Sequence, residues 1–160
     1  MSEIHVICGA GAGKTSDAVG AAVRAASAGK EVIFVQFLKG SDTENYGALT
    51  QIDPQIKLLS FEKTGKRYED LTEVEQEEQK SNIMNGFHYA RKVIQTNECD
   101  LLILDESLGL VDSGVIEAQE IIELLELSQN HDMEILLTGR NLPDELYSMV
   151  DTITTIEKLK

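Results

Sequence analysis

The sequence predicts an α/β fold in which a mainly parallel β-sheet is flanked by helices. Short β-branched or aliphatic runs alternate with helical segments along the whole chain, and polar or glycine-rich turns separate them. No internal repeat or linker divides the 160 residues. Such alternation is typical of right-handed β-α-β units, whose strands lie parallel in one sheet. A chain of this length forms one sizeable core, so we expect a single domain over residues 1–160.

The first half of the chain begins with a strand and a helix that are joined by glycines. Ile4–Cys8 is a short apolar run that stops at a glycine cluster, and Thr15–Ala28 is alanine-rich and ends at a glycine. Glu31–Phe37 is β-branched and aromatic, which predicts a buried strand. Residues 39–55 are polar and predict a loop with room for one helical turn, and Lys57–Phe61 is a weaker strand.

The second half continues the alternation. Residues 70–96 carry Ile83, Phe87, Ala90 and Ile94 at spacings of four, three and four, which predicts a long amphipathic helix. The remaining predicted elements are a strand at Asp100–Glu106, a helix at Val115–Ser128, a strand at Glu134–Leu137, a short helix at Pro143–Val150 and a last strand at Thr152–Ile156.

The composition excludes several classes of protein. Apolar residues make up 42% and charged residues 26%, which is ordinary for a soluble globular domain. The longest apolar runs, such as Leu101–Leu104, are too short to span a bilayer. No export signal is visible, so we expect a cytoplasmic protein without a membrane partner. Cys8 and Cys99 follow or precede apolar strand-like runs, and we expect buried thiols rather than a disulfide or a metal pair.

The charge balance argues against a nucleic-acid partner. The chain has 14 basic and 28 acidic residues, a net charge of −14. Residues 98–160 alone hold 3 basic and 15 acidic residues. A general DNA or RNA binder needs a basic stripe to release counterions from the phosphates, and this chain has none. An anionic ligand can bind only where local donors outweigh the overall field.

A glycine-rich loop between the first strand and the first helix is the strongest functional signal. It reads Gly9-Ala10-Gly11-Ala12-Gly13-Lys14-Thr15-Ser16. Glycines let backbone N–H groups turn inward around a polyphosphate, and the helix N-terminus adds partial positive charge. Lys14 can neutralise phosphates, and the Thr15 hydroxyl can ligate Mg²⁺. The loop is one residue shorter than the usual P-loop, because Cys8 stands at the first glycine position; the alternative is a flexible turn.

An apolar strand that ends in two carboxylates is the second signal. Asp105 and Glu106 directly follow Leu101–Leu104. In P-loop proteins an acidic residue at such a strand end meets the Mg²⁺ shell. The alternative is a strand that runs into an acidic turn of an acidic chain. Together with the glycine-rich loop, the pattern favours a metal role.

The third signal is Thr138-Gly139-Arg140, again at the end of a strand. Open α/β sheets bind ligands at the carboxyl edge of their strands. Arg140 is one of three basic residues after position 97, which makes it a candidate for a phosphate or ligand contact. An arginine in such a loop can equally be solvated surface.

Together these motifs resemble the P-loop family of ATP:corrinoid adenosyltransferases, also called cob(I)alamin or cob(I)yrinic acid a,c-diamide adenosyltransferases. The family's Gly-Asn-Gly-Lys-Gly-Lys-Thr-Thr loop is similar to Gly9–Ser16, which accounts for the missing residue. The resemblance covers roughly residues 3–155. Its other segments are Arg24-Ala25, Gly29-Lys30, Val35–Gly40, Leu104-Asp105-Glu106, Leu137–Arg140, Pro143 and Glu145-Leu146.

The resemblance implies transfer of the 5′-deoxyadenosyl group of ATP to the cobalt of a reduced corrinoid, with release of tripolyphosphate. It also implies a RecA-like P-loop NTPase fold, a homodimer, a need for Mg²⁺ or Mn²⁺ and a flavoprotein reductase as a candidate electron donor. Lys14, Thr15 and Glu106 would then be catalytic, and Thr15, Asp105 and Glu106 would hold the metal. The loop residues, Arg140 and Tyr68 would contact ATP or the corrinoid.

Two of the departures from the family pattern concern the ligand-binding segments. Ala10 and Ala12 stand where the family has Asn and Lys in the loop. Gly65-Lys66-Arg67-Tyr68 stands where the family has a Gly-Lys-Gly-Phe-Thr-Trp segment over the corrin, and the chain has no Trp. Two alternatives therefore stay open. One is a catalytically weakened paralogue that binds ATP or corrinoid as a carrier or sensor, and the other is a small P-loop NTPase or kinase.

Overall fold

The structure is a computed structural model that describes residues 1–37, 49–52, 55–61, 66 and 68–160. Its strands are β1 (Glu3–Cys8), β2 (Val32–Gln36), β3 (Ile56–Ser60), β4 (Leu101–Asp105), β5 (Glu134–Thr138) and β6 (Thr152–Thr155). Its helices are α1 (Lys14–Ser27), α2 (Leu49–Ile52), α3 (Glu73–Gln95), α4 (Ser107–Asp112) and α5 (Ala118–Ser128). Single stretches of 3₁₀-helix cover Tyr68–Asp70 and Asp144–Met149.

The six strands form one sheet in the order β3-β2-β4-β5-β1-β6. Every neighbouring pair is parallel. The predicted α/β fold, a parallel sheet flanked by helices, is therefore confirmed. Since the strands run in one direction, all their carboxyl ends meet at one edge of the sheet. The glycine-rich loop and the acidic strand end lie at that edge.

The core is divided by the sheet into two layers. On one face α1 packs against the sheet and buries the alanines Ala18, Ala22 and Ala26. Alanine at four-residue spacing lets a helix axis come close to the strands, because no longer side chain separates them. On the other face α3 and α5 cover the larger core, which includes Ile83 of α3 and Leu124 of α5. Buried strands explain the continuous apolar runs of β2 and β4.

The long helix begins later than its periodicity alone predicts. Thr72 caps α3: its hydroxyl accepts from the Glu75 N–H at 3.3 Å, and the Glu75 carboxylate accepts from the Thr72 N–H at 2.9 Å. This capping box satisfies two amide groups that the helix leaves unpaired, so the helix starts at Glu73 and not at residue 70. None of the helices in the described ranges is long and apolar enough to cross a membrane.

The observed elements differ from the predicted ones most clearly at three places. The helix predicted from Val115 starts at Ala118, because Glu117 forms a capping box with Glu120. The segment predicted as a short helix at Pro143–Val150 is 3₁₀-helix. No pattern in the sequence predicts a helix at Ser107–Asp112, where α4 lies. Six residues are too few to show a helical period, so α4 was missed. Part of the loop predicted at 39–55 lies outside the described residues.

The two cysteines are buried and free, as expected. Burial raises the pKa of the Cys99 thiol to about 12. Burial also raises the pKa of the Cys8 thiol, although the nearby Lys14 ammonium acts in the opposite direction. Both therefore serve as small apolar side chains.

Candidate functional site

The glycine-rich loop passes very close to the segment that follows β6. At Gly9 the backbone has φ 114°, and an added Cβ would lie 2.3 Å from the carbonyl oxygen of Ile156. At Gly13, which precedes α1, φ is 105°. Residues with a side chain rarely adopt this left-handed region, and no larger residue fits at Gly9. The local glycines are thus needed for the path of the loop.

Hydrogen bonds fix this loop to two other strand ends. The Gly9 N–H donates to the Arg140 carbonyl at 2.9 Å, and the Gly11 N–H donates to the Ile156 carbonyl at 2.9 Å. The Lys14 ammonium donates to the carbonyl oxygens of Gly9 and Gly11, each at 2.8 Å. Lys14 therefore lies over the loop, in the position from which it can turn to a phosphate. Two of the loop amides already have protein partners.

The first turn of α1 faces the same space. Gly13 has no side chain, so it forms no side-chain cap at the start of the helix. Ala10, Ala12 and Ser16 are exposed. The helix N-terminus carries partial positive charge, which favours an anion at this point.

Asp105 is the buried member of the acidic pair. Its side chain is fully buried at the end of β4. The Thr15 hydroxyl lies 3.1 Å from each carboxylate oxygen and donates to them. The Thr138 hydroxyl donates to one of the same oxygens at 2.7 Å. Burial raises the pKa of Asp105 to about 6, while the hydrogen bond from Thr138 opposes the increase.

Glu106 is held in a conformation that non-glycine residues rarely adopt. Its backbone has φ 59°, in the left-handed region. Its N–H donates to the Thr138 hydroxyl at 2.8 Å, which helps to hold this conformation. Burial raises the pKa of the Glu106 carboxyl, and the positive charges of Lys14 and Arg140 act to lower it. Strained backbone of this kind is common where a side chain must be aimed at a ligand.

The contact between the side chains of Thr15 and Asp105 fits a magnesium or manganese site. Both offer oxygen atoms, the ligands that these hard cations prefer. A protein carboxylate and a hydroxyl are enough when phosphate oxygens and water complete the octahedron. Within the described residues no group of three or more His, Cys, Asp or Glu side chains could hold a metal ion, so phosphate would have to supply further ligands.

A comparison with known families shows to which family the chain belongs. Residues 2–160 match the model of the ATP:corrinoid adenosyltransferase BtuR/CobO/CobP family. The chain belongs to this family. The predicted recognition is thereby confirmed, and the predicted enzyme class, a corrinoid adenosyltransferase, is confirmed at the level of the family.

Individual corrinoid adenosyltransferases are similar to nearly the whole of this chain, at low sequence identity. The Corrinoid adenosyltransferase of Escherichia coli (strain K12) is 26% identical over 98% of this chain and 77% of its own length. The Corrinoid adenosyltransferase CobA of Salmonella typhimurium (strain LT2) is 27% identical, also over 98% of this chain and 77% of its own length. A Corrinoid adenosyltransferase of a Sinorhizobium species is 25% identical over 98% of this chain and 72% of its own length.

The structure brings most of the predicted adenosyltransferase residues together. Lys14, Thr15, Asp105, Glu106 and Arg140 share the carboxyl edge of the sheet, linked by the hydrogen bonds and charge effects described above. Their roles remain predictions, since an arrangement of side chains does not show which of them touches ATP.

Tyr68, the predicted corrin contact, follows β3 in the chain. It belongs to the 3₁₀ segment before α3 and packs, half-buried, against the larger core. Its carbonyl accepts from the Gln76 side chain at 3.0 Å. The neighbouring Lys66 is exposed and pairs with Glu75 at 3.9 Å. The rest of the matching segment, Gly65 and Arg67, lies outside the described residues.

The sequence predicts a ligand contact for Arg140 and no role for Thr138. The structure shows that the buried Thr138 hydroxyl connects the side chain of Asp105 with the backbone of Glu106. Thr138 thus helps to hold the carboxylate of Asp105 and the backbone of Glu106 in place. Its signal was present in the sequence as the last strand residue of the Thr-Gly-Arg motif, a small hydroxyl residue at a strand end.

Proposed function

We propose that this protein transfers the 5′-deoxyadenosyl group of ATP to the cobalt of a reduced corrinoid and releases tripolyphosphate. Membership of the adenosyltransferase family supports the reaction class. The single observation that carries the proposal to this chain is the contact of Thr15, in the first turn after the glycine-rich loop, with the buried carboxylate of Asp105. It joins a phosphate-binding loop to a cation-binding carboxylate.

The reaction requires little covalent chemistry from the protein itself. Cobalt(I) is itself a strong nucleophile: its electron pair forms the cobalt–carbon bond at C5′, and the C5′–oxygen bond breaks with its electrons on the leaving tripolyphosphate. No protein base or covalent intermediate is needed. The protein must hold C5′ in line with the cobalt and stabilise the departing polyanion.

The cluster at the sheet edge has the groups for the second task. Lys14 and the first-turn amides of α1 would bind the phosphates, and Arg140 would add a second positive charge. Thr15 and Asp105, with Glu106 beside them, would hold Mg²⁺ or Mn²⁺, which supplies charge neutralisation when bound. Because the Thr15 hydroxyl lies 3.1 Å from the Asp105 carboxylate oxygens, a cation held by both would lie next to the loop.

The test is direct. The protein is incubated with ATP, Mg²⁺ and chemically reduced cobalamin, and the absorbance change on formation of the cobalt–carbon bond is followed. We expect an adenosylated corrinoid and tripolyphosphate in equal amounts. Separation of the products by ion-exchange chromatography distinguishes tripolyphosphate from the phosphate and pyrophosphate that other ATP reactions release. Release of inorganic phosphate without a cobalt–carbon bond would instead support a P-loop NTPase.

A weakened paralogue is the second candidate, and the loop itself favours it. Ala10 and Ala12 are exposed and carry no polar side chain, so the loop has two fewer donors than that of the family pattern it resembles. Such a protein would bind ATP and corrinoid without forming the cobalt–carbon bond. Ala10→Asn with Ala12→Lys should then restore turnover. In an active enzyme the same double variant should change turnover little.

The two cobalt oxidation states offer a separate prediction for Tyr68. A half-buried tyrosine among charged neighbours should keep water from cobalt(II) less well than an apolar wall. We expect turnover from pre-reduced cobalt(I) and poor activation of cobalt(II), and Tyr68→Ala should lower the cobalt(II) route more than the cobalt(I) route. The measurement compares both routes with a chemical and an enzymatic reductant. Equal losses would show that Tyr68 is a general binding or structural residue.

We further propose a homodimer and a flavoprotein reductase as the electron donor, both on the basis of the family, and a cytoplasmic location. Light scattering checks the first of these. A mass of twice the 17.6 kDa of the chain is expected. A mass of one chain at high protein concentration would contradict it.

A further inference from the structure

Gln36 is the last residue of β2, at the same sheet edge as the loop and the acidic pair. It is 5% exposed, although its side chain is an amide. Its Nε2 atom is buried and has no hydrogen-bond partner within the described part of the chain. Buried amide donors are nearly always paired, so an unpaired one at a ligand-binding edge calls for an explanation.

The sheet register places Gln36 next to Asp105. The two residues are Cα partners in the parallel strands β2 and β4. Neighbouring strands lie about 4.8 Å apart, and partner residues point to the same face. The carboxylate of Asp105 meets Thr15 of α1 on that face. Gln36 therefore lies on the α1 side, adjacent to the point where the phosphate-binding helix and the acidic strand meet.

The carboxylate of Asp105 does not use this amide. Its hydrogen bonds come from the hydroxyls of Thr15 and Thr138. An uncharged N–H donor can pair with an anionic oxygen even beside two carboxylates. It adds a hydrogen bond to a phosphate without forming an ion pair with Asp105 or Glu106 when no ligand is bound.

We propose that Gln36 is a phosphate-binding residue, whose Nε2 donates to an oxygen of the triphosphate of ATP and then of the leaving tripolyphosphate. This inference rests on the proposed function, because it assumes that ATP binds at the glycine-rich loop. It extends the phosphate site across the sheet edge from β1 to β2. The buried donor gains its partner only when substrate is bound.

The experiment uses inorganic tripolyphosphate and ATP as separate probes, each with Mg²⁺, in titration calorimetry. Gln36→Leu removes the amide and keeps much of its volume. We expect about tenfold weaker binding of both probes, the ordinary loss for a hydrogen bond to a charged group. Gln36→Glu should lose more than Gln36→Leu, because a carboxylate of the same length repels phosphate. The melting temperature of the ligand-free Gln36→Leu protein should not fall, since no hydrogen bond is lost.

Gln79 provides the matched control. It lies in α3, is 3% exposed and also has a buried Nε2 atom without a partner in the described ranges. Gln79→Leu should leave the affinity for tripolyphosphate unchanged. If Gln36→Leu fails to fold, Gln36→Met, which keeps the length of the side chain, is judged by the same criteria.

The inference is overturned if the Gln36 variants bind tripolyphosphate as the unmodified protein does, if Gln36→Glu binds more tightly than Gln36→Leu, or if Gln79→Leu causes the same loss. The two proposals fail separately. An unmodified protein that forms adenosylcorrinoid while Gln36→Leu keeps full tripolyphosphate affinity contradicts the inference alone. An unmodified protein that forms no cobalt–carbon bond, while Gln36→Leu loses tripolyphosphate affinity, contradicts the proposed function alone.

Discussion

Replacing Lys14 by alanine is expected to weaken ATP binding by about 2–5 kcal/mol, the cost of removing one partner of a buried charge pair. In the structure the Lys14 ammonium lies over the loop, 2.8 Å from the carbonyl oxygens of Gly9 and Gly11. Binding of ATP would exchange these neutral partners for anionic phosphate oxygens, and the resulting hydrogen bonds are the stronger kind. Titration calorimetry with ATP and Mg²⁺ measures the loss.

Lys30→Ala is the matched control for this prediction. Lys30 follows the same helix, at its other end, and pairs with Glu134 at 3.0 Å. Removing it takes away the same charge from the protein while leaving the loop intact, so ATP affinity should stay within a factor of about two, as expected for a distant, screened charge. If Lys14→Ala and Lys30→Ala have equal effects, the glycine-rich loop is not the ATP site.

The second large effect concerns stability. Asp105 is buried, and its pKa is raised from 3.8 to about 6. A carboxyl whose pKa is higher in the folded than in the unfolded state stabilises the fold at low pH. That stabilisation is lost as the pH rises through this window, and a shift of this size corresponds to about 3 kcal/mol. Asp105→Asn cannot ionise, so between pH 4 and 7 its free energy of unfolding should fall less than that of the unmodified protein.

Urea unfolding without nucleotide, in the presence of a chelator, tests this from pH 4 to 8. At pH 8 we expect Asp105→Asn to be more stable by about 1–3 kcal/mol, since an uncharged amide replaces a buried charge. The same variant should lose Mg²⁺-dependent ATP affinity. Asp144→Asn, which changes an exposed carboxylate, is the control and should leave the pH profile unaltered. Parallel pH profiles for Asp105→Asn and the unmodified protein would contradict the expectation.

The sequence predicts the elements of this fold better than it predicts their ends. Strands β2 and β4 are buried on both faces, so their apolar runs are visible without any knowledge of the tertiary structure. Helix α4 is different. It begins at Ser107, directly after the left-handed backbone of Glu106, and the Ser107 hydroxyl bonds to the Leu104 carbonyl at 2.8 Å. Contacts of this kind, rather than a periodic pattern, decide that the chain turns into a helix there.

Some residues of the candidate site can likewise be predicted from a single segment of sequence, and others cannot. Lys14 and Thr15 belong to one local motif, and Asp105 follows a recognisable strand, so single segments of sequence are enough to propose them. The hydrogen bond from Thr138 to Asp105 joins residues 33 positions apart and depends on β5 lying beside β4. The placement of Gln36 beside Asp105 depends on the strand order as well. Neither strand order nor register can be read from the order of elements along the chain.

The contact of the glycine-rich loop with the segment after β6 has a consequence for shortened variants of the protein. The Gly11 N–H donates to the Ile156 carbonyl, and the Ile156 N–H donates to the Cys8 carbonyl at 2.8 Å. The shape of the loop therefore depends on a segment that is distant in sequence, and these contacts form only where β6 pairs with β1. A variant that ends before Ile156 would keep every residue of the loop and lose both hydrogen bonds.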